Sequence, residues 1–378
     1  MLESQFDIII IGGGLAGLSQ AILAARKNYK VLLIEKENYP FHKVCGEYIS
    51  NESLPFLESI GLDTKALKLP VINRFMLSLP NGRSLETKLD LGGFGISRYT
   101  LDHILYKEAL NCGAEIITGL KVTDVLFQAD RFSVMAGDKI FQSIIVTGSY
   151  GKRSNLDIKW KQNALKSTSF WNKNYVGVKY HIEYNTPKDL IALHHFKQGY
   201  CGISAIEDGK SCLCYLTTAQ SLQNSGNQIK TLESKELYAN PYLKEIFTQA
   251  TFLYEQPLTI AQVNFAPRHP IENHIIRCGD AAGLITPLCG NGMSMALHGS
   301  MLAFKFIQEF LSQKISRQEM EATYTKAWQH KFNSRMKSGR IIQKLSENNF
   351  NLQLLFYGMK NIDFIAQAVI KRTHGEVF

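Results

Sequence analysis

Three glycines and a distant carboxylate carry the clearest chemistry in this sequence. Gly12-x-Gly14-x-x-Gly17 follows the apolar run Phe6-Asp7-Ile8-Ile9-Ile10-Ile11, and Glu35 closes the next apolar run. At this spacing the first glycine permits a tight turn and the second lets a pyrophosphate approach the backbone. The third lets a helix pack closely on the strand, so that the helix N-terminus faces the phosphates. Glu35 is placed to accept hydrogen bonds from a ribose 2′-hydroxyl and to repel a 2′-phosphate. The chemistry is dinucleotide binding.

The elements that must position these groups are legible. The isoleucine run reads as a strand buried on both faces, Leu18 to Lys27 as a helix, and Lys30 to Glu35 as a second strand, together a βαβ unit. Asn51 to Ile60 and Thr100 to Asn111 read as helices, with Phe75 to Leu89 a hairpin around Pro80-Asn81-Gly82. Glu115 to Ile117 and Ser143 to Thr147 return to the main sheet on either side of a small meander from Val122 to Phe141. Strands dominate from about 155 to 265: Tyr175 to Tyr184, Leu190 to Phe196, Tyr200 to Ala205 and Cys212 to Thr217. Helical stretches lie between Glu233 and Gln249. His274 to Cys278 is again a strand, a long helix runs from Asn291 to Ser312, and Gln318 to Lys371 is helical without a clear break.

Three further segments carry a resemblance. Ile276-Arg277-Cys278-Gly279-Asp280-Ala281-Ala282-Gly283 places an acid at the end of an apolar strand. Pro287-Leu288-Cys289-Gly290-Asn291-Gly292-Met293 then opens a helix, and Ile96-Ser97-Arg98 precedes Leu101-Asp102. In this order they resemble the FAD motifs of the glutathione-reductase-like flavoproteins typified by p-hydroxybenzoate hydroxylase. Pro40-Phe41-His42-Lys43-Val44-Cys45-Gly46-Glu47 narrows the likeness to geranylgeranyl reductases and electron-transfer-flavoprotein:quinone oxidoreductase-like dehydrogenases. The resemblance spans roughly Phe6 to Ser312. It implies that Asp280 binds the ribityl chain and that Arg98 approaches the flavin or its pyrophosphate. The helix after Gly290 points its N-terminus at the flavin pyrimidine ring, where its dipole favours the reduced cofactor's negative charge. Cys45 is implied to lie beside the isoalloxazine ring. The cofactor-binding set is therefore Gly12, Gly14, Leu15, Ala16, Gly17, Glu35, Lys36, Cys45, Gly46, Arg98, Val122, Asp280, Gly290, Asn291, Gly292 and Met293. Cys45 and Glu47 are the candidate catalytic pair. The thiol either donates a proton or packs as a buried cysteine. An acid beside an apolar pocket is expected to have a raised pKa suited to proton transfer.

One departure bears on the reaction. Hydroxylases of the group carry an Asp-Gly pair after the returning strand, where this chain reads Thr147-Gly148-Ser149-Tyr150-Gly151-Lys152-Arg153-Ser154. That tilts the expectation toward reduction or dehydrogenation of a hydrophobic prenyl, polyketide or quinone-like molecule. An NAD(P)H-dependent aromatic monooxygenase and a non-catalytic flavin electron carrier stay open as alternatives. NAD(P)H or a donor protein is the expected electron source. The halogenase motif WxWxIP is absent, Trp160, Trp171 and Trp328 being far apart.

The chain has 378 residues, 45% hydrophobic and 20% charged, enough for two or three packed domains and too apolar for global disorder. The expected fold is α/β with an α+β insert. A discontinuous Rossmann-like FAD domain takes 1–154 and 269–315, an antiparallel substrate-binding sheet 155–268, and C-terminal helices 316–378. No apolar run approaches the ~20 residues that cross a bilayer, and residues 1–6 do not read as a signal peptide. The seven cysteines lack a CxxC pair, which suits a reduced, cytoplasmic protein. The net charge of +9 permits nucleic acid, an anionic membrane or an anionic small molecule, and no nucleic-acid motif accompanies it. Seven basic residues between Gly151 and Tyr180 (Lys152, Arg153, Lys159, Lys161, Lys166, Lys173, Lys179) form either a steering surface at the site mouth or a solvated face. His194 and His195 face opposite ways on a strand, and Cys212 and Cys214 share a face without further ligands, so no metal is expected. Phe196, Tyr200 and Tyr215 line either a pocket or the core. Leu352 to Arg372 either docks on a membrane or closes the substrate domain.

Overall fold

The computed structural model describes residues 2–152, 154–160, 173–263 and 265–378. Two sheets organise it. In the first, β1 (Leu2–Ile11), β2 (Val31–Ile34), β6 (Glu115–Ile117), β9 (Lys139–Gly148) and β17 (Ile275–Arg277) run parallel in the order β17-β9-β1-β2-β6. The antiparallel pair β7 (Val122–Gln128) and β8 (Arg131–Ala136) hangs from β9, and β16 (Ile271–Glu272) flanks β17. Ile8, Ile9 and Ile10 are fully buried because helices cover one face and the β7–β8 meander the other. Helix α1 (Leu15–Ala25) follows β1 directly, α2 is the short Leu54–Ser59, and α3 is Arg98–Asn111.

The second sheet has the order β14-β10-β13-β12-β11-β4-β5-β3, with β15 beside β10. Its strands are β3 (Tyr48–Ser50), β4 (Val71–Ser78), β5 (Ser84–Gly95), β10 (Tyr175–Glu183), β11 (Leu190–Phe196), β12 (Gly199–Ala205), β13 (Ser211–Thr218), β14 (Thr251–Phe252) and β15 (Leu258–Val263). All its pairings are antiparallel except β11 on β4. This corrects the boundary at 154/155: the hairpin at Pro80-Asn81-Gly82 and the strand after Glu47 belong to this sheet, so it takes chain from both sides of that line.

The sheet's two faces differ. Val178, Tyr180, Ile182 and Leu213 pack under α5 (Ala219–Asn224), α6 (Ile229–Glu236) and α7 (Pro241–Gln249), α4 being the short Asn155–Lys159. Alternation sends Gly177, Lys179 and His181 to the other face. Register adds Cys212 and Cys214 from β13, Gly202 from β12 and Leu193 from β11. Phe196 and Tyr215 are core on the helix side, and Tyr200 packs with Tyr175 and Phe265. The tail, read as one helical stretch, is three helices after α8 (Gly292–Leu311): α9 (Arg317–Ser346), α10 (Asn349–Asn361) and α11 (Asp363–Thr373). The break at 347–348 is chemical. The Asn348 side chain accepts from the backbone N–H groups of Phe350 and Asn351 and starts a new helix.

Candidate active site

The phosphate cradle is built from backbone. Gly12 has φ +99°, and a Cβ there would lie 2.6 Å from the Ser149 carbonyl oxygen; at Gly17 it would lie 2.0 Å from that of Gly12. Only glycine lets β1, β9 and α1 meet this closely. Gly14 is different: the atoms nearest its would-be Cβ are Arg98 Nη2 and Lys43 Nζ, both at 3.7 Å. A helix N-terminus thus faces open space with two cationic side chains at its edge, as a pyrophosphate requires. Asp102 holds both cations, through two bonds from Arg98 (2.7 and 2.8 Å) and one from Lys43 (2.9 Å). Burial opposes the Asp102 charge, and the two cations nevertheless keep its pKa low. Glu35 closes the cradle, accepting from the backbone of Gly13 (2.6 Å) and Glu37 (3.0 Å).

Asp280 lies next door. A Cβ on Gly279 would stand 3.5 Å from that of Ala16 in α1, so the two motifs meet. Among the described residues the Asp280 carboxylate has no hydrogen-bond partner. Its pKa is raised by burial, with Lys152, Arg98 and Arg268 pulling the other way. A half-buried acid with no partner among the described residues is what a ribityl hydroxyl would satisfy. The residues present fit FAD. Leu15 and Ala16 are buried in the first turn of α1, and Lys36 is exposed beside Glu37. Val122 is buried in β7, its carbonyl accepting from Asn155. Gly290 has φ +66°, and Asn291 turns its amide to the Thr373 carbonyl (2.9 Å) rather than outward.

The segment Cys45 to Glu47 is held by buried side chains. Cys45 is half-buried with Sγ 3.6 Å from Met293 Sδ at the start of α8, and a Cβ on Gly46 would meet nothing within 4 Å. Gly46 therefore sits against an open space. Glu47 does not. It is fully buried, with φ +56°, and its carboxylate accepts from Lys179 Nζ (2.5 Å), His181 Nε2 (2.6 Å) and the Arg98 backbone (2.7 Å). Ile96 N donates to its carbonyl (3.0 Å). The raised pKa expected of Glu47 is corrected. Burial would raise it, yet the hydrogen bond from His181 and the charge of Lys179 hold it below the usual carboxylate range. The left-handed backbone, unfavourable for a residue with a Cβ, is held by these four bonds.

Sequence reasoning missed Lys179, His181 and Tyr254. His181 Nδ1 lies 2.7 Å from Tyr254 Oη, which lies 3.1 Å from His42 Nδ1. The signal was available in Tyr175–Glu183, where Lys and His share one face of an otherwise apolar strand. Cys212 joins Glu47 and His181 in a cluster of metal-ligand type, with ligand atoms mutually within 4.8 Å. The Lys179 ammonium already occupies the cationic position there. His194 bonds Ser78 (2.8 Å) while His195 packs near Tyr200, so they do part as expected. Within the basic run Lys159 pairs with Asp124, Lys173 with Glu347 and Lys179 with Glu47. Arg153, Lys161, Lys166 and Trp171 lie outside the described residues.

A glycine turn at a helix N-terminus edged by two cations, with an acid alongside, suits an FAD-dependent oxidoreductase. The comparisons agree. A family model described as "FAD binding domain" matches residues 5–139. A digeranylgeranylglycerophospholipid reductase of Methanococcus vannielii is 24% identical over 93% of this chain and 90% of its own length. Conditioned medium factor receptor 1 of Dictyostelium discoideum is 24% identical over 87% of this chain and 68% of its own. Among solved structures, a geranylgeranyl bacteriochlorophyll reductase-like protein of Thermoplasma acidophilum superposes with a TM-score of 0.79. It is 18% identical, over 98% of this chain and 96% of that one. Flavin-dependent halogenases share the fold too.

Proposed function

We propose that this protein reduces an apolar, prenyl- or quinone-like molecule by hydride transfer from bound FAD, at or near a membrane surface. FAD supplies the hydride chemistry; the chain supplies the cradle, a cation-lined phosphate edge and an apolar approach to the ring. The observation that carries the reading is an apolar cavity of about 80 Å³ between the second sheet and the C-terminal helices. Phe75, Leu77, Leu193, Leu352 and Met359 wall it, and Leu288 connects it to the turn that opens α8. At that volume it has room for only a few carbons of a prenyl chain. Outside it, α10 and α11 expose Phe350 (74%), Leu354 (64%) and Phe364 (79%), with Lys360, Lys371 and Arg372 on the same two helices. An apolar face edged by cations suits an anionic bilayer. No described helix is long and apolar enough to cross one. Electrons would come from NAD(P)H or a donor protein.

The test is anaerobic. Photoreduced protein is mixed with a geranylgeranyl lipid or a prenylated quinone in anionic vesicles, and flavin reoxidation is followed with product mass. Reoxidation with two hydrogens gained supports the reading. Indifference to both compounds, or hydroxylated product formed only with oxygen, sinks it. Phe350→Ser plus Phe364→Ser should lower vesicle binding while leaving FAD content unchanged.

A further inference from the structure

Helix α3 opens with a cation in an unfavourable place. Arg98 is its first residue, where the helix dipole repels positive charge, and the first turn contains no acid of its own. Two carboxylates from elsewhere in the chain supply the negative charge. Glu47 accepts from the Arg98 backbone N–H (2.7 Å), and Glu207 accepts from the Ser97 backbone N–H (2.7 Å). Glu207 also accepts from the hydroxyls of Ser97 and Thr100, that of Thr100 at 2.6 Å. It is buried and lies in the turn between β12 and β13, on the substrate-side sheet. There β5 and β12 end in backbone contact: a Cβ on Gly95 would lie 1.9 Å from the Ala205 carbonyl oxygen. Ser97 and Glu207 each follow that contact by two residues. We infer that Glu207 is a positioning residue that holds Arg98 at the cofactor's phosphates, tying the substrate-side sheet to cofactor retention; this rests on the FAD reading.

The path from Glu207 to the cradle is short. Ser97 and Thr100 bracket Arg98, and both are bonded to the one carboxylate. The Ser97 hydroxyl in turn accepts from the Thr100 backbone N–H (3.1 Å) and closes the first turn. At its other end Arg98 is fixed by Nε and Nη2 to Asp102, one turn further along α3. Its Nη2 is also one of the two atoms nearest the would-be Cβ of Gly14, at 3.7 Å. A shift of the first turn of α3 therefore moves the guanidinium relative to both Asp102 and the N-terminus of α1. Without the Glu207 charge, the Ser97 N–H loses its charge-assisted bond and the cation at the helix start has one carboxylate fewer. The guanidinium stays charged throughout, so the effect is one of place and not of protonation. Glu207 bonds Ser97 and Thr100, and it acts on the cradle through Arg98.

The test is a double-mutant cycle on FAD affinity, read by flavin fluorescence as FAD is titrated into apoprotein. Glu207→Gln keeps the shape and removes the charge, and Arg98→Met keeps the buried stem and removes the guanidinium. Glu207→Gln should weaken FAD binding by roughly fivefold or more in the parent and by less than about twofold in Arg98→Met, as residues of one network do. Equal losses in the two backgrounds, or none in the parent, overturn the positioning role, because a general structural effect would simply add. Parental FAD affinity in Arg98→Met overturns it as well. A second readout needs no cofactor. In ¹⁵N spectra of the apoprotein, Glu207→Gln should move the Arg98 Nε–H resonance, and an unmoved signal overturns the link. Should Glu207→Gln not fold, Thr100→Val removes one of the three bonds without removing charge, and the same outcomes judge it. A parent that binds no FAD instead defeats the flavin reading, while the apoprotein spectra still decide whether Glu207 positions Arg98.

Discussion

At the phosphate cradle, backbone approaches backbone: Gly12 meets the Ser149 carbonyl and Gly17 that of Gly12, within one βαβ unit and its neighbouring strand. At Glu47 the same job of fixing a loop falls to side chains: a carboxylate, an ammonium and an imidazole, out of water and 132 and 134 residues apart in sequence. The first arrangement tolerates no Cβ but carries no net charge. The second tolerates shape changes poorly for another reason, because removing any one ion leaves the others desolvated. A site can thus be made rigid by the absence of atoms or by the matching of charges, and the two fail differently.

Removing the carboxylate should cost most. Glu47→Ala strands Lys179 in the interior, and breaking such a pair destabilises by about 3–5 kcal/mol. Chemical denaturation of the apoprotein measures this; a loss below about 1 kcal/mol would mean the pair is solvated in solution. The acid limb should change too. Glu47 titrates lower folded than unfolded, so its contribution is complete above the unfolded value of about 4.3 and fades as pH falls through the folded one. The variant should lack that limb.

A pair of glycine variants sharpens the contrast within the cradle. Gly17→Ala places a methyl 2.0 Å from the Gly12 carbonyl oxygen and should lower both apoprotein stability, by roughly 1–3 kcal/mol, and FAD affinity. Gly14→Ala meets nothing closer than 3.7 Å, so it should leave the apoprotein melting temperature in place and weaken FAD alone. Equal effects of the two would show that Gly14 does not face the cofactor.

Asp280 gives the smallest effect, and its signs oppose. Its folded-state pKa is raised, so at neutral pH its charge costs stability, and that cost vanishes only as the medium turns acid. Asp280→Asn should therefore raise the apoprotein melting temperature slightly. It should weaken FAD binding through loss of a charge-assisted hydrogen bond of about 1.5–3 kcal/mol. Calorimetry on the apoprotein and a flavin titration read the two separately.

The contrast also explains what was legible. Gly12, Gly14, Gly17 and Glu35 lie in one short stretch, and local spacing alone specifies a strand, turn, helix and strand. The place of Asp280 just after β17 was legible because its apolar strand and small neighbours are contiguous. Glu47's partners come from β10 and from the turn that starts α3, and no local pattern brings these together. Lys179 was read among exposed lysines, whereas it is fully buried. Charge counted along a run says nothing of which way each strand residue points. The assignment of the hairpin at Pro80-Asn81-Gly82 to the first domain failed for a related reason, since β4 finds its partner β11 more than a hundred residues later.

That parallel junction of β11 on β4 has a consequence for how such a molecule can be inherited or engineered. Its substrate-side sheet is not a cassette that can be cut out and exchanged. Excising 155–268 would leave β4 with a bare apolar edge, a ready template for pairing with a second chain. Transplanting the segment elsewhere would leave it short of β3, β4 and β5. New specificities are therefore expected to arise by replacing residues in place on a frame that two stretches of the chain hold in common.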